Sequence, residues 1–286
     1  MGKASKVKVE LVEVGELVNL IQVLKDVADN KFFALINQKD RFARFGESFV
    51  DFFSLISFAS VKHPLMTSDV PTVGILLITS EGSFLGDLNT KVVRAALTEK
   101  GKHPNSVFIV VGKKGVARLG KSAEVVKVFE DVEATGIYQV SLQVKDYLVQ
   151  QIMEKRLGKV IAIFPWPKNL STVKSRVIKL LPCDELIAKQ EDLGEAMEPI
   201  LLESDPTEIV GYLANLWIST KIYEMLFDTS IAAAAAQSQQ LENSSKKMGK
   251  ERTAVRLKYR KAKKGDIDKS LREVFIAKMM MTAGKS

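Results

Sequence analysis

The stretch SEGSFLGDLN, Ser80 to Asn89, is the first place to look for chemistry. The apolar run VGILLIT leads into it and a helix-like pattern follows. That is the layout of a phosphate-binding loop, which needs a lysine followed by Ser or Thr and backbone amides curled around the anion. This loop has neither lysine nor arginine, and it carries Glu81 and Asp87, which repel a triphosphate. The dinucleotide fingerprint GxGxxG is absent too. The expected role is a tight strand-to-helix turn. Gly82 and Gly86 allow the bend, Asp87 caps the following helix, and Asn89 completes the motif. GKKG, Gly112–Gly115, reads as a second turn into a helix, and the GKS at 284–286 is coincidental.

Other reactive side chains are sparse. Two histidines, His63 and His103, each next to a proline, and one cysteine, Cys183, fall short of the usual zinc sets and of a disulfide framework. No catalytic residue, cofactor or metal is expected. The strongest chemical signal is charge. The net charge of +8 is concentrated in KKMGKERTAVRLKYRKAKK, Lys246 to Lys264, where ten basic residues stand against Glu251. Such density points to an anionic partner. Only Tyr259 is available there for stacking on bases, so a nucleic-acid partner is not the leading expectation.

The elements that carry these residues follow from proline and periodicity. All eight prolines lie between Pro64 and Pro206, which leaves both ends free to form long helices. Val14, Ile21, Ala28, Leu35, Phe42, Phe49 and Ile56 are seven apart, with Leu17, Leu24, Phe45 and Phe52 as a companion row three residues on. Leu241, Met248, Val255 and Ala262 repeat the spacing, and Ile267, Leu271, Val274 and Lys278 continue it in a shifted register. This is coiled-coil spacing. In ESDPTEIV, Ser204 or Asp205 suits a helix cap and Pro206 a first turn. Ala232–Ala236 allow close approach of a partner. A helix of about 75 residues is on the order of 110 Å long, whereas the middle of the chain forms a body roughly 35–40 Å across. The C-terminal helix therefore needs a partner helix, and the N-terminal segment running antiparallel to it is the natural one.

The middle alternates strands (Val73–Thr79, Ser106–Gly112, Val160–Trp166) with amphipathic helices, and VKSRVIKLLP reads as an edge strand. The expected fold is α/β: an antiparallel coiled coil of long N- and C-terminal helices plus a Rossmann-like domain with a mainly parallel sheet. Its expected parts are residues 1–63 (N-terminal coiled-coil helix), 64–206 (globular α/β domain) and 207–286 (C-terminal coiled-coil helix). No apolar run of about 18 residues spans a membrane, and MGKASKVKVE lacks a signal core.

Two regions together resemble a family. SEGSFLGDLN is similar to the S-D-x-G-L-C-G-x-x-N segment of the gamma subunit of F-type ATP synthases, with Ser80, Gly82, Gly86 and Asn89 at matching places when one residue fewer is allowed before Phe84. YRKAKKGDIDKSLREV resembles that family's YNRARQAxITxELxEI, where Tyr259, Ala262, Ile267, Leu271 and Glu273 coincide. VGKKG, KLLP and ESDP fall between them in family order. The resemblance implies a rotor shaft turning inside a hexameric ring of alpha and beta subunits, itself no enzyme, and coupling ATP synthesis or hydrolysis to ion transport. It implies further partners in an epsilon-type stalk subunit and a membrane rotor ring, and a peripheral location on the cytoplasmic face of a bacterial inner membrane or, alternatively, the mitochondrial matrix face. The implied ring contacts are Lys246, Lys247, Lys250, Arg252, Arg256, Arg260, Lys263, Lys264 and Asp268, and the implied shaft tip is Met279, Met280 and Met281. This sequence also departs from the family. LIQVLKDVADNKFF replaces a lysine-rich N-terminal segment, Lys263 and Lys264 replace an Arg-Gln pair, and Asp268 and Ser270 stand for Thr-x-Glu. Two readings from other classes make their own predictions. A nucleic-acid-binding adaptor with a basic arm predicts salt-sensitive binding to DNA or RNA. A small α/β enzyme with a helical oligomerisation arm predicts a pocket at the strand ends near Ser80.

Overall fold

The computed structural model describes residues 3–54, 63–183 and 205–283, and only the backbone at 40–54, 134 and 281–283. Of the seven-residue row, Phe42 and Phe49 fall where only backbone is described, as do Phe45, Phe52 and Met281, and Ile56 lies outside the described residues.

In chain order the elements are α1 (Lys3–Ser54), β1 (Val73–Ile78), α2 (Leu88–Lys102), β2 (Ser106–Val111), α3 (Lys113–Leu119), β3 (Val125–Phe129), α4 (Val132–Thr135), α5 (Ile137–Met153), β4 (Lys159–Asn169), β5 (Thr172–Leu181) and α6 (Pro206–Ala283). The two proline-free ends form single helices of 52 and 78 residues. Asp205 starts α6 by accepting a hydrogen bond from the Thr207 amide at 2.7 Å, ahead of Pro206 in the first turn. Gly211, Gly249 and Gly265 lie inside α6 without interrupting it. Each costs about 1 kcal/mol, which a long cooperative helix sustains.

The chain divides into two compact bodies, one of Met1–Val27 with Ser238–Ser286, the other of Ala28–Gln237. In the first, α1 and α6 run antiparallel. Lys25 pairs with Glu242 at 3.6 Å, and the Ala4 amide donates to Asp266 Oδ2 at 3.1 Å. Leu241 and Val255 are buried, with Met248 and Ala262 half-buried between and beyond them, as their spacing predicts. On α1 the sequence expectation needs one correction. Val14 and Ile21 do face the seam, but Leu17 and Leu24 do not; they are 47% and 36% exposed. The companion row lies four residues on instead, at Leu11, Val18 and Lys25. Apolar residues populate both flanks of α1, so periodicity alone left the choice open, and α6 settles it by where it packs.

The second body is built on a five-stranded sheet of order β3-β2-β1-β4-β5. β1, β2, β3 and β4 are parallel, and β5 joins antiparallel at the edge. β1, β2 and the start of β4 are buried on both faces, which is why they read as continuous apolar runs. β4 runs on through Pro165 and Pro167 to Asn169, farther than expected. The remainder of the two long helices belongs to this body. Phe32 packs on Ile231, Ala234 and Ala235, and Ala233 packs on Leu85 and Leu88, so the small-residue stretch allows the close approach expected of it.

Candidate functional site

Strand order reverses at β1, where β2 lies on one side and β4 on the other. The crevice at the carboxyl end of such a strand is the usual ligand position in an open α/β sheet. SEGSFLGDLN begins there, one residue after Thr79. Asn89 is buried and closes the loop on itself. Its Nδ2 donates to the Ser80 carbonyl at 2.7 Å and its Oδ1 accepts from the Ser80 amide at 3.1 Å. The chain reverses through left-handed residues at Phe84 (φ 56°) and Gly86 (φ 55°). Gly82 has no positive φ, and its amide donates to Ser80 Oγ at 3.3 Å. Asp87 stands at the N-cap of α2 but makes no capping hydrogen bond; its carboxylate pairs with Lys91 at 3.0 Å, one turn into the helix.

The amides that could hold an anion are already occupied. Glu81 accepts from the backbone N–H of Lys113 (3.1 Å), Asp131 (3.3 Å) and Val132 (3.1 Å), at the starts of α3 and α4. A carboxylate of the chain itself thus sits where helix N-termini attract negative charge. Lys114 Nζ donates to the Gly82 carbonyl and Gln237 Nε2 to that of Ser83 at 2.9 Å, pinning the loop. GKKG is a turn into a helix as expected. Gly112 has φ 96°, and a Cβ there would stand 2.6 Å from the Thr79 carbonyl oxygen. A cavity of about 340 Å³ does open beside Ser80, lined by Lys31, Thr79, Glu81, Glu133, Thr229 and Ser230 among others. The enzyme reading predicted a pocket at this place, but Glu81 is engaged, and among the described residues the lining offers one lysine against two carboxylates.

The basic stretch lies on α6 in the first body. Lys246, Lys247, Lys250, Arg256, Arg260, Lys263, Lys264 and Asp268 are exposed. Arg252, also exposed, stands over Gly15 of α1, where an added Cβ would be 3.9 Å from its Nε. Lys246 pairs with Glu242 at 3.1 Å, and that hydrogen bond, with help from Lys25, lowers the Glu242 carboxyl below its ordinary value. Met279 and Met280 are exposed, as are Ile267, Leu271, Val274, Phe275 and Ile276.

The sequence reading missed two ionic features. Asp266 receives the Ala4 amide, one of the orphan donors in the first turn of α1, and so caps that helix from a distance of 262 residues along the chain. In the second body Lys39 Nζ lies 2.5 Å from Asp228 Oδ1, and Asp228 is buried. Burial raises the Asp228 carboxyl above its ordinary value, and Lys39 opposes that rise. Two lysines at i and i+14 within an otherwise apolar row, Lys25 and Lys39, were the available signal. His63 accepts the Leu65 amide at 3.2 Å on Nδ1, and burial lowers its pKa. Cys183 is buried.

A family model described as ATP synthase matches residues 3–277. The chain is similar to the ATP synthase gamma chain of Maridesulfovibrio salexigens, 23% identical, with 96% of this chain and 97% of that relative covered. It is 26% identical to the ATP synthase gamma chain of Nitratidesulfovibrio vulgaris, at the same coverage. Among solved structures it is similar to a chain of the Euglena gracilis mitochondrial ATP synthase OSCP/F1/c-ring, with a TM-score of 0.65, 16% identity, and 99% of this chain and 96% of that chain covered. A chain of the Tetrahymena thermophila mitochondrial ATP synthase central stalk and c-ring gives a TM-score of 0.61 at 17% identity, covering 79% of this chain and 99% of that one.

Proposed function

The chain belongs to the ATP synthase family, and on that premise we propose that it is the central rotor shaft of a rotary F-type ATP synthase. It turns inside a ring of alpha and beta subunits and couples ATP synthesis or hydrolysis to rotation and ion transport. The observation that carries this reading is the antiparallel α1–α6 pair with exposed basic side chains along α6. A pair of helices held by an apolar seam, the Lys25–Glu242 ion pair and the Ala4 amide–Asp266 hydrogen bond transmits torque as a unit, because twisting one helix moves the other.

The contact set toward the ring is Lys246, Lys247, Lys250, Arg252, Arg256, Arg260, Lys263, Lys264 and Asp268. The lysines and arginines of this set meet acidic lever segments of the ring by charge and by shape. Met279, Met280 and Met281, with their flexible thioethers, pack in the surrounding sleeve and centre the tip. The turn at Gly82, Gly86 and Asn89 braces the α/β body, which meets an epsilon-type stalk subunit and the membrane rotor ring. The chain supplies no catalysis of its own. The complex is peripheral to a membrane, on the cytoplasmic face of a bacterial inner membrane, a location favoured by the bacterial relatives.

The test is charge reversal. Lys250→Glu, Arg252→Glu and Arg256→Glu together lower coupled ATPase activity in the reconstituted complex and leave the helicity of the isolated chain unchanged. Unchanged turnover and torque in that variant refute the electrostatic coupling. A wild-type chain that fails to copurify with a hexameric ring, one copy per ring, refutes the rotor role.

A further inference from the structure

The cavity beside Ser80 has a lining with a definite chemistry. Strand ends of β1 and β2, the start of α5, and residues of α1, α4 and α6 all contribute to it. Its volume of about 340 Å³ lies at the small end of the ~300–1,000 Å³ of small-molecule pockets. Much of the wall is apolar. Ile78, Val111 and Leu226 are buried, and Leu35 and Ile137 are half-buried. Three of the lining hydroxyls already donate to backbone carbonyls: Thr79 Oγ1 to Val111 at 3.0 Å, Thr229 Oγ1 to Met225 at 2.8 Å and Ser230 Oγ to Leu226 at 3.2 Å. A hydroxyl whose proton is committed keeps its lone pairs and offers a ligand an acceptor. Of the charged groups, Glu81 is held by three backbone amides. That leaves Lys31 on α1 and Glu133 on α4. Both are exposed where the cavity meets solvent, and neither is paired with the other or with any other group among the described residues.

We propose that this cavity binds a small apolar zwitterion, a free α-amino acid with a branched aliphatic side chain. The α-ammonium, with three donors and no acceptor, goes to the Glu133 carboxylate and the hydroxyl oxygens. The α-carboxylate goes to Lys31 Nζ, and the aliphatic side chain lies on Leu35, Ile137 and Leu226. The charges select this class over others. A polyphosphate meets two carboxylates, a simple amine meets Lys31 as a like charge, and a simple carboxylate meets Glu133 as one. A ligand that carries both charges gives each of the two side chains a partner. The bound amino acid ties α1 and α6 to α4, and so braces the joint between the long helices and the sheet. The site stands on the cavity itself and is independent of the rotor role.

The experiment is titration calorimetry of the full chain, with the thermal midpoint as a second reading. The probes are L-leucine, isopentylamine, which lacks the carboxylate, and isocaproate, which lacks the ammonium. Leucine binds at one site with a Kd of about 1 mM or below and raises the thermal midpoint, because it binds the folded chain alone. Each analogue binds about fivefold to tenfold more weakly, having lost one charge-assisted contact at a partly solvated site. Lys31→Met and Glu133→Gln weaken leucine to the same degree, and each erases one preference. Lys31→Met binds leucine no better than isopentylamine, and Glu133→Gln binds it no better than isocaproate, a pattern that a merely structural role would not produce. Both side chains are exposed, so circular dichroism of the variants stays as in wild type. A wild-type chain with no leucine-dependent heat or midpoint shift overturns the proposal. So does an analogue that binds as tightly as leucine, or a pair of variants that keep wild-type affinity. The analogue comparison needs only the wild-type chain, and it decides the matter even where a variant fails to fold.

Discussion

Removing Lys39 tests how the second body holds its two long helices. Asp228 on α6 is buried, its side chain 8% exposed, and Lys39 on α1 reaches it at 2.5 Å while remaining 37% exposed. Breaking a buried ion pair by deleting one partner costs ~3–5 kcal/mol, because the remaining charge stays desolvated and alone. Lys39 is partly solvated, so the cost of Lys39→Ala is discounted to about 2–3 kcal/mol at pH 7. Asp228→Asn removes the charge that burial opposes and costs less, about 1 kcal/mol or below. The double variant is then nearly as stable as Asp228→Asn alone, which gives a coupling close to the cost of Lys39→Ala itself, about 2–3 kcal/mol.

The pH dependence has a definite sign. The folded-state pKa of Asp228 is raised above 3.8, chiefly by burial. The folded protein therefore holds this proton more tightly than the unfolded chain. Stability from this group is greatest below 3.8, falls as pH rises through the raised value, and is flat above it. Asp228→Asn abolishes that fall, and Lys39→Ala extends it to higher pH. Urea unfolding of the full chain from pH 4 to 8, followed by circular dichroism, measures both effects. A Lys39→Ala variant as stable as wild type at pH 7, with the same pH profile, refutes the argument.

Four further outcomes follow from the geometry. Asn89→Ala loses a donated and an accepted bond inside a buried loop and lowers stability by about 2–4 kcal/mol, read from the thermal midpoint. Gly112→Ala places a Cβ 2.6 Å from a carbonyl oxygen at φ 96° and destabilises by about 2–3 kcal/mol or more. Gly249→Ala meets nothing within 4 Å and stabilises α6 by about 0.5–1 kcal/mol. Asp266→Ala uncaps α1 at a cost of about 0.5–2 kcal/mol, visible as faster hydrogen exchange of the first-turn amides of α1 and not of those near Ile21.

Much of this protein is written in local pattern. Proline placement set out the two long helices, and Leu241, Met248, Val255 and Ala262 marked the seam of α6 without reference to any partner. The buried strands were legible because both of their faces are covered, which forces the unbroken apolar runs at Val73–Ile78 and Ser106–Val111. The loop at Ser80 was legible as a turn, since Asn89 binds the amide and carbonyl of Ser80 only nine residues away. Its glycines were read less well: the left-handed positions fell on Phe84 and Gly86, and nothing in the residue type marked Phe84 for one.

By itself the sequence determined the two long helices, the buried strands β1, β2 and β4 and the edge strand β5, and that the charge gathers on one helix, because those properties arise from near neighbours and from composition; β3 (Val125–Phe129), short and exposed on part of its length, was not among them. Tertiary structure alone decided which of two apolar faces of α1 became the seam, since a helix apolar on both sides has no preferred direction until α6 packs against it. It also decided that Glu81 fills the amides of α3 and α4 from 32 to 51 residues away. The same holds for Asp266, which caps the start of α1, and for Asp228, which is buried against Lys39. Each of these is a charge meeting a partner that only the folded chain brings within reach.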